Sequence, residues 1–112
     1  MDAKNKVISI KEMFTGTITA AAVYPREIIK AVLRNQAAAV IAVHNHPSGE
    51  PEPSPEDIAL TFQIMIALNA IGVTLHDHTI IGNSSHFSMA DNGFIARFKE
   101  RITSLQIATP FN

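Results

Sequence analysis

The sequence contains no cysteine among its 112 residues. This absence excludes disulfides and thiolate metal sites, and it fits a protein of a reducing compartment. No run or patch of lysine and arginine stands out in the sequence either. The 9 basic residues are balanced by 10 acidic ones, which gives a net charge of −1. Binding to a phosphate backbone requires a basic surface, so this domain carries no strong nucleic-acid signature.

Long apolar runs are also missing from the chain. The longest fall far short of the roughly 20 residues that span a bilayer, and residues 1–6 are too polar for a signal peptide. Neither an internal repeat nor a linker divides the sequence, and its hydrophobic content of 46% is enough for one core. We therefore predict a single soluble, cytoplasmic domain over residues 1–112, without a membrane partner.

Strand and helix patterns alternate along the sequence. Strands are predicted at 7–10, 17–23, 38–44 and 73–81, with a short one within 84–88. Helices are predicted at 25–35, 55–71 and 94–105, with a short helical segment starting at 88–91. This alternation predicts an α/β fold, arranged as three α/β/α layers around a mixed sheet.

The most informative stretch is His44–Asp57, where a predicted strand runs into a proline-rich loop and then a helix. Because residues i and i+2 of a strand share a face, His44 and His46 are expected to point the same way. Ser54-Pro55-Glu56-Asp57 has the pattern of a helix start, with serine as the N-cap and an acid three residues later. The loop therefore brings two imidazoles, a hydroxyl and a carboxylate together.

These residue types are suited to a catalytic zinc site. Zn²⁺ binds imidazole nitrogen and carboxylate oxygen, and catalytic sites commonly use three protein ligands and leave one position to water. His44, His46 and Asp57 supply such a set, and a bound water would reach a pKa near 7. Ser54 lies one helical turn before Asp57, where its hydroxyl is expected to stabilise a developing oxyanion.

A purely structural interpretation exists for each of these residues. A Ser-x-x-Asp pattern often serves only to start a helix, and two histidines in His-x-His spacing occur by chance without a metal. A rival metal pair is also present, because His76 and His78 share a strand face on either side of Asp77. That pair lacks a convergent third ligand, so the first set is the better candidate.

The pattern His44-x-His46-Pro47-x6-Ser54-x2-Asp57 resembles the JAMM metalloprotease motif of MPN-type domains. More narrowly, the chain resembles the C-terminal domain of bacterial RadC-like proteins over almost its whole length. Further segments carry the resemblance: Gly16-Thr17, Pro25-Arg26-Glu27, Ser48-Gly49, Asp77-His78-x-Ile80-Ile81-Gly82 and Ser88. The resemblance implies a cytidine-deaminase-like fold and zinc ligation by His44, His46 and Asp57, with Ser54 assisting at the oxyanion. It also implies peptidase or isopeptidase activity and places Asp77 and His78 near the site.

One departure from the family pattern concerns the general base. In JAMM enzymes this base is a glutamate on a strand before the histidines, and the resemblance puts its position ahead of Met1. Glu12 is the nearest glutamate in sequence order, but it lies in the wrong part of the pattern. We therefore expect an N-terminally truncated domain that lacks its first strand and this glutamate. The loss of general-base catalysis, worth about 10²–10⁴-fold in rate, would make this chain a weak enzyme.

Two functions from different classes follow from these residues. The first is a zinc-dependent hydrolase whose metal-activated water attacks a peptide or isopeptide carbonyl, so its partner is a peptide or protein substrate. The alternative is a non-catalytic interaction module in a DNA-transaction protein, as the family's traditional DNA-repair label suggests. Nucleobase deamination is excluded because the chain lacks the required His-x-Glu and Pro-Cys-x-x-Cys motifs. A sheet edge exposed by the missing strand would favour a homodimer.

Overall fold

The computed structural model describes residues 7–11, 20–46 and 48–108. Four strands and three helices follow one another in these ranges: β1 (Val7–Lys11), α1 (Ala20–Asn35), β2 (Ala39–Asn45), α2 (Pro55–Ala70), β3 (Thr74–Ile81), β4 (His86–Ser88) and α3 (Phe94–Ala108). None of these helices combines the length and the apolarity needed to cross a membrane. The predicted α/β class is confirmed.

The four strands form one mixed sheet in the order β1-β2-β3-β4. β1 and β3 both run parallel to β2, while β4 pairs with β3 in the antiparallel direction. β2 lies between two parallel neighbours, and its apolar run is buried at Ala39, Val40 and Ala42 but only half-buried at Ile41 and Val43. The strand β1 lies at one edge of the described sheet.

The three helices lie on one face of this sheet. The β1-α1-β2 and β2-α2-β3 connections step across the sheet in the same direction, and right-handed crossovers then put both helices on the same side. In agreement, α2 contacts α1 and α3. The predicted third layer is not confirmed for the described part of the chain, since alternation of elements does not determine which face a helix covers. Cytidine-deaminase-like layering stays a prediction from the resemblance.

The hydrophobic core fills the space between the sheet and these helices. Val40 and Ala42 of β2 alternate inward, and Leu75 of β3 lies beside them. The helices contribute the remaining members of the cluster, among them Ile28, Val32, Leu60, Ile64, Met65, Leu68, Phe98 and Ile102. This core packs α2 firmly on the sheet, so the first turn of α2 has a defined position relative to the end of β2.

The start of α1 differs from the prediction. We predicted a strand over 17–23 and a helix beginning at Pro25, but α1 already begins at Ala20 and contains Pro25. Three consecutive alanines at 20–22 favour the helix, because alanine has the highest helix propensity, although small residues are also compatible with a strand. Residues 17–19 of that predicted strand lie outside the described residues.

The two ends of α2 follow the predicted signals. Ser54 is the N-cap and Pro55 occupies the first helical position. At the other end, Gly72 has a φ of +73°, which is the left-handed conformation of a C′ residue. The N–H of Val73 donates to the carbonyl of Leu68 and closes the helix.

Asp77 joins β3 to the segment after β4. Its Oδ1 accepts hydrogen bonds from the backbone N–H groups of His78 (2.7 Å) and Ala90 (2.9 Å). Its Oδ2 accepts from the hydroxyls of Ser88 (2.7 Å) and Thr79 (3.3 Å). The segment 89–93 forms turns, where we predicted a short helical segment, and Asp77 fixes its start through Ser88 and Ala90.

We expect Asp77→Ala to lower the free energy of unfolding by about 3 kcal/mol, because removing a charged acceptor leaves several half-buried donors unsatisfied. Asp91→Ala is the matched control, since it removes an exposed carboxylate from the same segment and should change stability by less than about 0.5 kcal/mol. Urea-induced unfolding measures both variants. Equal stability of the two would contradict this role for Asp77.

Candidate metal centre

The candidate site lies at the carboxyl end of β2, which is where open α/β sheets usually bind their ligands. His44 is near the end of the strand, paired with Ile80 of β3. His46 follows the strand, and its N–H donates to the carbonyl of Ile81 at 3.0 Å. Asp57 belongs to the first turn of α2 and is buried. The sheet and the helix packed on it thus bring the three side chains together.

The structure brings the three predicted ligands into one group. His44, His46 and Asp57 each offer a ligand atom, and these atoms all lie within 4.8 Å of one another. His46 Nε2 lies 2.7 Å from Asp57 Oδ2, and His44 Nδ1 lies 3.5 Å from Asp57 Oδ1. Among the described residues, this is the one group of three or more histidine and carboxylate side chains with such spacing. The three residues could therefore hold a metal ion.

The orientation of His46 fits a metal ligand. Its Nδ1 lies 2.7 Å from the backbone carbonyl of Glu50. A carbonyl only accepts hydrogen bonds, so Nδ1 carries the proton, and in neutral imidazole this leaves a lone pair on Nε2. That lone pair points at the carboxylate of Asp57, an arrangement that requires a proton or a cation between the two atoms. Metal-bound histidines commonly donate their other N–H to a carbonyl in this way.

The loop that carries the Glu50 carbonyl packs closely on the turn between β3 and β4. The carbonyl of Gly49 accepts a hydrogen bond from the N–H of Asn83 at 2.9 Å. A Cβ atom at Gly82 would lie 2.4 Å from that same Gly49 oxygen, so the approach requires glycine there. No local pattern in the sequence predicts this contact, because the two loops are far apart along the chain.

Asp57 also caps its own helix. The hydroxyl of Ser54 accepts a hydrogen bond from the N–H of Asp57 at 3.0 Å. In return, the N–H of Ser54 donates to Asp57 Oδ2 at 2.8 Å, which completes a capping box. The structural interpretation and the metal-ligand interpretation of this motif are therefore compatible, since one carboxylate serves both.

The carboxylate of Asp57 is kept ionised by its surroundings. Burial alone would raise its pKa, but the hydrogen bonds from Ser54, the contact with a protonated His46 and the charge of a protonated His44 together hold the pKa of the metal-free carboxyl below its ordinary value of 3.8. An ionised carboxylate is the form that binds a metal. The site is thus prepared for a cation at neutral pH.

The hydroxyl of Ser54 lies one turn from the carboxylate, as predicted. Its oxygen uses a lone pair to accept the bond from Asp57, so the hydroxyl proton can still be donated to another group. The side chain is half-buried at the start of the helix. This arrangement is compatible with a donor aimed at a bound substrate.

The rival pair, His76 and His78, does not share a face. The pairing of β2 with β3 shifts between Val40 and Ile41, so that Leu75 and Asp77 oppose consecutive residues and His76 forms a bulge. His76 is exposed, whereas His78 is fully buried. The prediction that these two histidines point the same way is therefore wrong, because a bulge changes the alternation of side chains along the strand.

His78 lies directly behind the candidate metal site. Its ring is stacked on that of His44 with centroids 5.8 Å apart and planes at 20°. Its Nδ1 lies 2.6 Å from the hydroxyl of Thr61, a buried residue of α2 that the sequence analysis did not identify. Burial, reinforced by the charge of His44, lowers the pKa of His78 from 6.5 to about 4. His78 is therefore neutral in the folded protein at neutral pH.

We expect the stability of the metal-free protein to depend on pH through His78. The unfolded chain has its ordinary pKa of 6.5 and the folded protein a pKa of about 4, so the unfolded state binds more protons between these values. The free energy of unfolding should therefore fall as the pH is lowered from 6.5 to about 4, by about 3 kcal/mol. Urea-induced unfolding in EDTA at a series of pH values measures this change.

Two variants separate His78 from the other titrating groups. His78→Phe keeps an aromatic ring in the core and should lose most of this pH dependence. His86→Ala removes an exposed histidine of β4 and should retain it. A pH dependence in His78→Phe as steep as in the unmodified protein would contradict the assignment.

The chain is similar to known proteins over most of its length. Residues 1–94 match the family of RadC-like JAB domains. The UPF0758 protein of Marinomonas sp. (strain MWYL1) is 48% identical over 95 residues, that of Alteromonas mediterranea is 47% identical over 95, and that of Xanthomonas campestris pv. campestris (strain 8004) is 43% identical over 95. Each alignment covers 85% of this chain but 42% of the relative, so the chain spans less than half the length of these curated relatives. This chain belongs to the RadC-like JAB domain family.

Proposed function

We propose that this domain is the metal centre of a zinc-dependent hydrolase that cleaves peptide or isopeptide bonds. The observation that carries the proposal is the convergence of His44, His46 and Asp57, whose ligand atoms lie within 4.8 Å of one another. Membership of the RadC-like JAB family supports it, and so does the resemblance of the loop to the JAMM motif. We propose the same hydrolytic activity for the longer relatives.

Zinc is the metal that the donor set favours. Two imidazole nitrogens with one carboxylate oxygen form a ligand set of catalytic zinc sites. Magnesium and calcium prefer sites made of oxygen ligands, so the two histidines argue against them. The chain has no cysteine that could add a thiolate ligand, which leaves room for water or substrate.

The residues of the site divide the chemistry among them. A zinc ion bound there would lower the pKa of a water molecule to near 7 and so supply a nucleophile at neutral pH. Asp57 and the two histidines hold the cation, and the Glu50 carbonyl orients His46. The hydroxyl of Ser54 donates a hydrogen bond to the oxygen of the scissile carbonyl as negative charge develops on it.

Metal binding and turnover require different residues. The resemblance assigns the general base to a glutamate on a strand before the histidines, whereas the ligand group of the described residues contains two histidines and one aspartate. Proton transfer by a positioned base contributes typically about 10²–10⁴-fold to a rate. We therefore propose that zinc binding depends on these three ligands, whereas the rate of hydrolysis depends also on a general base.

We expect the purified, tag-free chain to contain about one zinc per molecule by mass spectrometry, given three converging ligands. His46→Ala and Asp57→Ala should each abolish binding, because two ligands hold zinc poorly. His86→Ala is the control, since it removes an exposed histidine outside the ligand group. Full zinc content in both ligand variants would refute the metal centre.

We expect Ser54→Gly to lower kcat by about 10²–10³-fold, the usual cost of losing an oxyanion donor, while zinc content stays unchanged. Glycine is chosen because it is tolerated at an N-cap with a loss of only a few tenths of a kcal/mol. The assay uses a panel of fluorogenic peptides and isopeptide-linked conjugates, with the full-length Marinomonas relative measured alongside.

The same experiments test the alternative function. If the chain and the relative both bind zinc but cleave no linkage in the panel, the hydrolase assignment fails and the metal site remains. A DNA affinity that falls steeply with salt would instead favour an interaction module in a DNA-transaction protein.

A further inference from the structure

We propose that Thr61 and His78 act as positioning residues that set the distance between two metal ligands, His44 and Asp57. We call this pair the Thr61–His78 connector. The inference rests on the proposed metal centre, because it concerns how the ligands are held. It adds two residues that touch neither a metal nor a substrate, one from α2 and one from β3.

The connector is a continuous series of contacts from one ligand to the other. The hydroxyl of Thr61 donates to the backbone carbonyl of Asp57 at 2.8 Å. His78 Nδ1 lies 2.6 Å from that same hydroxyl oxygen. The last contact of the series is the stacking of the His78 ring on the ring of His44, with centroids 5.8 Å apart. It thus joins the first turn of α2 to the end of β2 through β3.

The directions of these hydrogen bonds follow from the donors available. The carbonyl of Asp57 cannot donate, so the single hydroxyl proton of Thr61 lies on that bond. The oxygen of Thr61 must then accept from His78, which requires the proton of the imidazole to be on Nδ1. Both bonds are satisfied only with this tautomer, so Thr61 determines how the ring of His78 is oriented beneath His44.

Water cannot replace the hydrogen bonds of the connector, because both of its residues are buried. Thr61 and His78 both have a relative exposure of 0%. A buried hydroxyl or imidazole that loses its partner stays unsatisfied, since solvent cannot reach it. His46 is held differently, by the Glu50 carbonyl at its Nδ1. The connector therefore reaches His44 and the Glu50 carbonyl reaches His46, while the two histidine rings also contact each other with centroids 5.1 Å apart.

The test measures zinc affinity of the intact chain by competition with a chromogenic chelator. Thr61→Val keeps the shape of the side chain and removes the hydroxyl, and we expect zinc affinity to fall by about 10- to 100-fold, the usual cost of losing an outer support of a ligand. Thr103→Val is the matched control. Its exposed hydroxyl makes the same kind of bond, to the carbonyl of Lys99 four residues earlier at 3.0 Å, and its affinity should not change.

A spectroscopic readout separates positioning from a loss of stability. With Co²⁺ in place of zinc, the visible absorption bands of Thr61→Val should shift or weaken, because they report ligand geometry directly. Thr61→Ser restores the hydroxyl and should restore both the spectrum and the affinity. His78→Phe keeps the stacked ring without the N–H donor, so it should reproduce the Thr61→Val spectrum if the hydrogen bonds set the geometry.

The outcomes test the connector and the proposed metal centre separately. Unchanged zinc affinity and an unchanged Co²⁺ spectrum in Thr61→Val, with normal binding by the unmodified chain, overturn the connector alone. Absence of metal from the unmodified chain overturns the proposed metal centre itself. If Thr61→Val does not fold, His78→Phe gives the decision by the same two measurements, with Thr61→Ser as the folded reference.

Discussion

The carboxylate of Asp57 is the group on which the candidate site depends. It accepts the Ser54 N–H that starts α2 and lies 2.7 Å from the Nε2 of His46. The helix start and the metal site therefore cannot vary independently: a change that moves the cap also moves the ligand. Since α2 packs on the sheet through its buried apolar side, the hydrophobic core determines where the carboxylate lies.

The buried polar residues of this protein are concentrated at the metal end of the sheet. Asp57, Thr61, His78 and Ser88 are the buried polar side chains of the described residues, and the hydrogen bonds among them and their neighbours offset the cost of their burial. Leu75, earlier on β3, belongs to the apolar core instead. Along its length, β3 thus changes from apolar side chains that pack in the core to polar side chains that form hydrogen bonds near the candidate site. The bulge at His76 lies between these two parts of the strand.

The features that could be predicted from the sequence are those whose cause is local. The ligand set follows from two-residue spacing in a strand and three-residue spacing at a helix start, and the ends of α2 follow from Ser54 and Gly72. The features that could not be predicted depend on residues far apart in sequence. The bulge that separates His76 from His78 depends on the pairing of β3 with β2. The role of Thr61 depends on its contact with His78, which no local pattern in the sequence indicates. The side of the sheet that a helix covers depends on strand order.

This difference has a consequence for how the site tolerates change. The two histidine ligands belong to one short segment, yet each is supported by a different part of the chain: His46 by the following loop and His44 by β3 and α2 through His78 and Thr61. A variant of the loop should therefore disturb one ligand while the other keeps its place. Because all of these contacts lie within residues 44–83, the geometry of the candidate metal site depends on β2, α2 and β3 together.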